Sequence, residues 1–314
     1  MSDKLRVAVV GVGYLGQHHA RLLAGMSDVD LAGIVDTKPG RAGEIGSRFG
    51  APAFTELRDL PLDRLDAVTV AVPTVSHLDV AMRLMDAGVS VLVEKPLASS
   101  LNEADRLIEA AARRGVVLAA GHTERFNPAV VAALPLVSNP RFVEVHRLGT
   151  FPERSLDIDV IFDLMIHDLD LLLTSVKSEV TSIEAVGVNV LTPRTDIANV
   201  RLRFASGCIA NVTASRISRE RVRKIRFFQP DAYLSIDYAA QEVEGWRLVR
   251  RDGGPPRIEG GPLPVARDEP LRRELADFIQ AVRTKTSPIV DGDAGRRALE
   301  LATRVAEKME SATG

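Results

Sequence analysis

The feature that most constrains the fold is a glycine-rich turn between a buried strand and a helix. The run Leu5–Val10 is apolar apart from one arginine, and Gly11, Gly13 and Gly16 follow it directly, before a helical pattern over Gln17–Ala24. In this setting the first glycine permits a tight turn and the second lets the backbone approach a pyrophosphate. The third allows the helix to pack closely on the strand, and the helix N-terminus faces the phosphates. The sequence therefore predicts a dinucleotide-binding Rossmann domain at the start of the chain.

An acidic residue at the end of the second predicted strand indicates the type of dinucleotide. Asp36 follows Gly16 by twenty residues, where a carboxylate would bond the adenosine ribose diol. It favours NAD because it would repel a 2′-phosphate, whereas Lys38 and Arg41 could pair with one, so NADP stays open as the alternative. The further cofactor contacts that we predict are Tyr14, Leu15, Thr37, Lys38, Ala71, Pro73, Thr74, His77, Glu94 and Lys95.

The hydrophobic pattern divides the chain into two domains of different class. Residues 1–121 alternate short apolar runs with helical patterns, which is typical of a doubly wound parallel sheet. We predict strands at Leu5–Val10, Leu31–Val35, Ala67–Val72, Ser90–Val93 and Val116–Ala120, with helices at Gln17–Ala24, Gly40–Phe49, His77–Ala87 and Leu101–Arg114.

Residues 122–314 predict an α+β domain with a large, mostly antiparallel, open sheet. Strand-like runs cover Arg141–Phe151, Val180–Leu191, Ala198–Phe204, Cys208–Arg216, Val222–Phe228, Ala232–Ile236 and Val243–Val249. A helix is expected over Asp159–Thr174, a Gly- and Pro-rich loop over Arg250–Glu269, and two final helices over Leu271–Thr284 and Ala294–Met309. The last helix can pack back on the Rossmann domain. Because the long strands should leave one face of the sheet uncovered, we predict a homodimer or homotetramer that forms through that face.

Composition excludes several other classes of protein. Forty basic and 42 acidic residues give a net charge of −2, which argues against binding of nucleic acid or a membrane surface. The single cysteine, Cys208, can form neither an internal disulfide nor a cysteine metal cluster. No apolar run approaches the roughly 20 residues of a membrane helix, and the chain enters its first strand without a signal peptide. We expect a cytoplasmic protein.

Three polar groups outside the glycine turn can supply catalysis. Lys95 lies in a Glu-Lys-Pro sequence after the fourth predicted strand, and it is one of only seven lysines. Asp163 precedes His167 by one helical turn. Oxidation of a secondary alcohol needs a base and a group that stabilises the developing alkoxide. His167 is the natural base and Lys95 the positive donor, while Asp163 would bind a neighbouring hydroxyl or orient the histidine. The alternatives are a solvated turn lysine and an ordinary pair on a helix surface. We predict no metal, because the lysine supplies the positive charge.

Taken together, these motifs resemble the glucose–fructose oxidoreductase / inositol dehydrogenase family. The set consists of the glycine turn, Asp36, the sequence Glu94-Lys95-Pro96 and the later Asp163-x-x-x-His167, and the resemblance covers nearly the whole chain. It implies a Rossmann domain followed by an α/β domain with an open sheet. It also implies oxidation or reduction of a hydroxyl on a sugar, cyclitol or nucleotide sugar, with Lys95 as the catalytic lysine and Asp163 and His167 as the catalytic pair.

Two stretches resemble one branch of that family more closely. Residues 121–128 and 162–170 are similar to the branch that oxidises the 3-hydroxyl of UDP-N-acetylglucosamine. In that branch the 3-keto sugar passes to an aminotransferase for lipid A or other surface glycans. Arg125 and Arg154 would then pair with the diphosphate and Asn127 with a sugar group, although both arginines could instead form ion pairs within the protein.

Three other functions stay open at this stage. One is a dehydrogenase of a free sugar or inositol, and another is a non-catalytic regulator that senses cofactor or sugar. The third is a Rossmann reductase of imines or tetrapyrroles, which would not need the pair of Asp163 and His167.

Overall fold

The structure, a computed structural model, describes residues 4–151, 158–250 and 255–312. They form two compact units. The first contains the chain up to His122 together with Leu271–Leu299, and the second contains Thr123–Pro270 and the chain from Glu300. None of the helices formed by these residues has the length and apolarity needed to cross a membrane.

The first unit is the predicted Rossmann domain, with a six-stranded parallel sheet in the order β3-β2-β1-β4-β5-β6. Its strands are β1 Leu5–Val10, β2 Val29–Val35, β3 Ala53–Phe54, β4 Ala67–Val70, β5 Ser90–Glu94 and β6 Leu118–Gly121. The helices of its N-terminal part are α1 Gly16–Ala24, α2 Pro39–Phe49, α3 His77–Asp86 and α4 Leu101–Arg114. The two-residue strand β3 has no counterpart in the predicted elements, because two residues are too few to establish a pattern.

A helix from the end of the chain completes the core of the first unit. The helix α7 Pro270–Thr284 buries Leu275, Phe278 and Ile279 in the same apolar cluster as Val7 and Leu31. The predicted division placed 122–314 in the second domain and let only the last helix pack back on the first. Instead, Leu271–Leu299 belongs to the first unit, and this segment contains α7 and only the start of the last helix. An amphipathic helical pattern shows that a face must be buried and does not show which sheet buries it.

The second unit is built on one eight-stranded sheet, in the order β14-β13-β12-β11-β7-β10-β9-β8. Its pairs are antiparallel except for β7 and β10, which are parallel. The strands are β7 Phe142–Leu148, β8 Val180–Val188, β9 Ile197–Phe204, β10 Ile209–Ser215, β11 Val222–Phe228, β12 Ala232–Asp237, β13 Glu242–Val249 and β14 Arg257–Leu263. The helices are α5 Pro128–Ala133, α6 Ile166–Val176 and the later part of α8 Gly292–Ala312. Alternating burial along β7 confirms a sheet with one covered and one open face.

The expected loop over Arg250–Glu269 contains strand β14, so that prediction was wrong. The strand pairs antiparallel with β13 over its whole length. Gly260 has φ +150°, and a Cβ there would lie 2.0 Å from the carbonyl oxygen of Gly245. The glycine that indicated a loop is therefore needed for a close approach of two strands. Pro262 is tolerated because β14 is the edge of the sheet.

Candidate active site

The glycine turn has two crowded positions and one open one. Gly11 has φ +83°, and a Cβ there would lie 2.6 Å from the carbonyl oxygen of Ala71. A Cβ on Gly16 would lie 1.8 Å from the carbonyl oxygen of Gly11, whereas nothing lies within 4 Å of a Cβ on Gly13. Packing thus fixes the turn at its two ends, and its middle faces open space in front of the first turn of α1. This arrangement fits a pyrophosphate that approaches the backbone at Gly13.

Asp36 is held against the glycine turn by two backbone amides. The Val12 N–H donates to Oδ2 of Asp36 at 2.9 Å, and the Lys38 N–H donates to Oδ1 at 3.0 Å. The side chain of Arg41 is engaged nearby: its Nε donates to the carbonyl oxygen of Val12 at 2.8 Å, and its terminal nitrogens bond Glu44 and Gln17. A 2′-phosphate would have to compete with these bonds for Arg41. The carboxylate beside the turn therefore favours NAD.

The other predicted cofactor contacts follow strands of the same parallel sheet, whose carboxyl ends share one edge. Five of them are exposed, namely Tyr14, Leu15, Thr37, Lys38 and Pro73, and Ala71 and Thr74 are half-buried.

His77 was predicted to contact the cofactor, but it lies inside the first unit. The side chain is buried, with Nδ1 3.0 Å from the carbonyl oxygen of Pro96 and Nε2 3.0 Å from that of Val72. Burial lowers the pKa of His77, although the two carbonyls act in the opposite direction. We assign it a structural role, in which it ties the turn after β4 to the turn after Lys95.

Glu94, another predicted cofactor contact, is also buried. It is the last residue of β5, with an 8% exposed side chain, and its Oε1 lies 2.9 Å from Nε2 of His19. Its Oε2 accepts a hydrogen bond from the backbone N–H of Lys95 at 3.2 Å. Lys95 itself is half-buried at the carboxyl end of the sheet, where ligands of such folds bind.

In the second unit, Asp163 and His167 lie in a helical segment that is not α-helical throughout. Asp163 belongs to a π-helical turn, Ile161–Met165, and His167 is the second residue of α6. Both side chains are half-buried. The helix predicted over Asp159–Thr174 is thus present, but its first turn is wider than expected. Such π-helical turns occur frequently at functional sites.

Two arginine–carboxylate pairs hold α6 in place, one on each of the acids that follow His167. Asp168 is fully buried and receives Nε of Arg147 at 2.6 Å and Nη2 at 2.9 Å. Nη1 of Arg147 donates to Glu124 at 3.0 Å, and the guanidinium lies 5.4 Å from the ring centre of Tyr238. Burial alone would lower the pKa of Arg147, but the two carboxylates raise it further than burial lowers it. Burial raises the pKa of Asp168, and the charge and hydrogen bonds of Arg147 act in the opposite direction. The network anchors α6 to β7.

The second pair engages a predicted substrate ligand. Arg125 donates through Nε to Asp170 at 2.6 Å and through Nη2 at 3.1 Å. Arg125 therefore forms an ion pair within the protein, which is the alternative that the sequence left open. Arg154 lies outside the described residues.

Asn127, predicted to bond a sugar group, is buried with its side chain fully used. Its Oδ1 accepts from the Ala129 N–H and caps α5, while Nδ2 donates to the carbonyl oxygen of Tyr238 and to Glu124. We therefore assign Asn127 a structural role.

Five groups of these networks were not among the predicted site residues, namely the buried His19, Arg147, Asp168 and Asp170 and the half-buried Glu124. Two of them carry a signal in the sequence. Arg147 falls on the inward positions of its strand, in register with Val143 and Val145. Asp168 lies next to Leu169 in a helix that is rich in leucine. A charge on each of two inward faces indicates a buried ion pair.

Comparison with known proteins matches both parts of the chain. Residues 5–122 match the family described as oxidoreductase family, NAD-binding Rossmann fold, and residues 140–231 match the GFO/IDH/MocA C-terminal domain. UDP-N-acetylglucosamine 3-dehydrogenase from Acidithiobacillus ferrooxidans is 38% identical over 98% of both chains, and its solved structure superposes with a TM-score of 0.90. Myo-inositol 2-dehydrogenase from Thermotoga maritima is 27% identical over 98% of this chain and 96% of its own. A levoglucosan dehydrogenase solved with NADH and levoglucosan shares the fold, with a TM-score of 0.86 at 19% identity over 98% of each chain.

Proposed function

The chain belongs to the GFO/IDH/MocA oxidoreductase family, and from this premise we propose that it oxidises the 3-hydroxyl of UDP-N-acetylglucosamine to the 3-keto sugar. The observation that carries the proposal is the likeness to the Acidithiobacillus enzyme, which extends over both domains at 38% identity. The inositol dehydrogenases are more distant relatives, so oxidation of a free sugar or inositol is the second candidate.

The residues of the first unit fit NAD as the cofactor. The pyrophosphate would lie at the open position beside Gly13. The carboxylate of Asp36 lies beside the turn, where it would bond the ribose diol in place of a backbone amide. When bound, NAD accepts the hydride from the carbon that is oxidised.

The chemistry left to the protein consists of moving a proton and stabilising a charge. We assign His167 as the base, because the unperturbed pKa of a histidine lies near neutrality. Lys95 donates a hydrogen bond to the substrate oxygen and stabilises the alkoxide that develops there. Asp163 binds a neighbouring sugar hydroxyl or orients His167. Each of these groups is half-buried, so it can reach substrate while water is partly excluded.

Two arginines, Arg125 and Arg154, are predicted to bind the diphosphate of the substrate. Arg125 would have to exchange part of its pairing with Asp170. Arg154 stays a prediction.

We further propose a cytoplasmic location and a role in the supply of a 3-keto nucleotide sugar to an aminotransferase, for lipid A or other surface glycans.

We also propose that two or four copies associate through the open face of the eight-stranded sheet. One row of that face is aromatic across four adjacent strands, because the strand registers place Phe142, Phe228, Tyr233 and Trp246 side by side. Phe228 lies 5.5 Å from Phe142 and 5.2 Å from Tyr233 between ring centres. Trp246 is 41% exposed, and at the other edge of the sheet Val186 is 54% exposed. An exposed aromatic row of this kind is typical of a contact between protein copies.

The test is the reduction of NAD or NADP, followed by absorbance, with UDP-N-acetylglucosamine, free sugars and inositol as substrates. The assay is run with and without 2-oxoglutarate, which would re-oxidise a cofactor that stays bound. We expect reduction of NAD by the UDP-sugar, and a loss of at least about 100-fold in kcat for Lys95→Ala and for His167→Ala. Lys308→Ala, an exposed lysine on α8, is the matched control and should retain full activity.

The possible outcomes separate the candidate functions. Turnover of a free sugar or inositol without turnover of UDP-sugars would replace the substrate and retain the catalytic residues. Tight binding of NAD without turnover of any of these compounds would instead favour the non-catalytic regulator.

A further inference from the structure

A buried histidine joins the helix that follows the glycine turn to the strand that presents Lys95. His19 lies in the first turn of α1, three residues after Gly16, and its side chain is fully buried. Its Nε2 donates to Oε1 of Glu94 at 2.9 Å. Glu94 is the last residue of β5 and directly precedes Lys95. The contact therefore links an element that faces the cofactor phosphates to the position of the proposed catalytic lysine.

The carboxylate of Glu94 is constrained on its other sides as well. Its second oxygen, Oε2, accepts the backbone N–H of Lys95 at 3.2 Å. A Cβ on Gly121 of the neighbouring strand β6 would lie only 3.0 Å from Oε2 and 3.0 Å from Cα of Glu94. Glu94 therefore packs directly against the backbone of β6 at Gly121, where a side chain would leave it no room. With these contacts, the position of Glu94 fixes the peptide of Lys95.

The charge of Glu94 makes this arrangement depend on His19. A buried carboxylate is costly unless it is paired and hydrogen-bonded. Burial raises the pKa of Glu94, but the hydrogen bond and charge of His19, together with the charge of Lys95, outweigh burial and leave the pKa lowered. His19 Nδ1 is itself buried without a hydrogen-bond partner, which costs stability. The ionised carboxylate therefore depends on the His19 donor for its pairing inside the first unit.

We infer that His19 is a positioning residue: through Glu94 it fixes the backbone of Lys95 relative to the cofactor-facing helix. The inference rests on the proposed function for the role of Lys95, and its test does not require turnover. Loss of the His19 donor should release the carboxylate and let Lys95 move. A displacement of about 1 Å in a catalytic group can cost about 100-fold in rate.

The test follows Lys95 directly by NMR after reductive methylation of the lysines with ¹³C-formaldehyde. The chain has seven lysines, so the dimethyl-lysine signals can be resolved, and the signal missing in Lys95→Arg identifies Lys95. We expect the Lys95 signal to shift on addition of NAD in the unchanged protein. In His19→Leu the signal should move without NAD and lose its response to NAD. His19→Gln retains a donor and should restore the response.

Controls and kinetics separate positioning from a general loss of stability. Leu23→Ala creates a cavity on the same helix at a fully buried side chain, and it should lower stability without moving the Lys95 signal. With the unmethylated protein, His19→Leu should lose about 100-fold in kcat with little change in KM for NAD, and His19→Gln should recover most of the loss.

Several outcomes would overturn the inference. An unchanged Lys95 signal in folded His19→Leu would do so, and so would equal losses in His19→Leu and His19→Gln. If His19→Leu does not fold, Glu94→Gln replaces it and must move the same signal. If the unchanged protein turns over none of the substrates, the proposed function fails while the NMR result still decides the role of His19.

Discussion

At the scale of single residues, the polar groups of this protein fall into two kinds. Lys95 and His167 are half-buried at the proposed sites of chemistry. His19 and Asp168 are fully buried. His19 bonds Glu94, which directly precedes Lys95. Asp168 bonds Arg147, which anchors the helix that bears His167. Motif and strand position single out the first kind in the sequence, and their catalytic roles stay predictions. Whether Glu94, His77 or Asn127 faces a ligand or the core depends on neighbours that are distant in the chain.

Asp196 is the residue for which the structure makes the clearest prediction about pH. It is fully buried, and its Oδ2 accepts three backbone N–H bonds from Val190, Leu191 and Thr192 at 2.9, 2.6 and 2.9 Å. Oδ1 accepts Nε of Arg216 at 2.8 Å. Burial would raise the pKa of Asp196, but these bonds lower it strongly. The ionised carboxylate therefore stabilises the fold.

The sign of the pH dependence follows from the lowered pKa. Stability from Asp196 is fully present above its unfolded pKa of about 3.9 and is lost as the pH falls toward its folded pKa. We expect Asp196→Asn to lower the free energy of unfolding by about 2–3 kcal/mol at pH 7. The gap should shrink steadily below about pH 4.

Urea unfolding at pH 7, 5 and 3.5 measures this gap. Asp86→Asn serves as the control, because Asp86 forms a surface pair with Arg114 at 3.0 Å and is 48% exposed; such pairs contribute little. A gap for Asp196→Asn that stays constant across the three pH values would contradict the prediction.

At the scale of elements, glycine is the residue type whose structural role is hardest to predict from the sequence. Gly11 and Gly16 lie, as predicted, in a crowded turn between a buried strand and a helix. Gly260 and Gly261 were assigned to a loop and instead lie in β14. The π-helical turn before α6 also could not be predicted, because its residues fit an α-helical pattern equally well. Elements with a buried, periodic pattern are predictable, and an edge strand with glycine and proline is not.

The two glycines of β14 form a matched pair for an experiment. Both have positive φ, +150° at Gly260 and +145° at Gly261, but only Gly260 has backbone atoms of β13 in the way of a Cβ. Gly261→Ala should cost about 1–3 kcal/mol from backbone strain alone. Gly260→Ala should cost clearly more, because the strand must also separate from β13. Hydrogen exchange of the β13 amides that bond β14 measures the separation, and equal protection in the two variants would show that the close approach is not important.

At the scale of the whole molecule, the order of elements along the chain hides how they group. Leu271–Leu299 belongs to the first unit, although it follows all the strands of the second unit along the chain. The two fold classes were predictable, because continuous apolar strands and alternating strands differ in pattern. The return of α7 was not, since any apolar sheet face can satisfy an amphipathic helix. The sequence does predict that the long strands of the second domain leave one face of their sheet uncovered, although it misses the edge strand β14.

The uncovered face leads to a prediction about assembly. The aromatic row Phe142, Phe228, Tyr233 and Trp246 runs across four strands of that face, and a second copy with the same row could bury it symmetrically. We expect a dimer or tetramer by size-exclusion chromatography with light scattering at micromolar concentration. Trp246→Lys should shift the population toward monomer, because a charge would be buried at the contact.

The control for that experiment is Ile289→Lys, which places the same charge on an apolar side chain that is 61% exposed in the first unit. It should leave the assembly unchanged, since isolated exposed apolar residues are ordinary on protein surfaces. A monomer for the unchanged protein at micromolar concentration would remove the proposal that the open face is an interface. Dissociation by both variants would not support a contact through the aromatic row, because a charge at an unrelated site would then disrupt the assembly equally. Dissociation by Trp246→Lys alone is the result that the shared face requires.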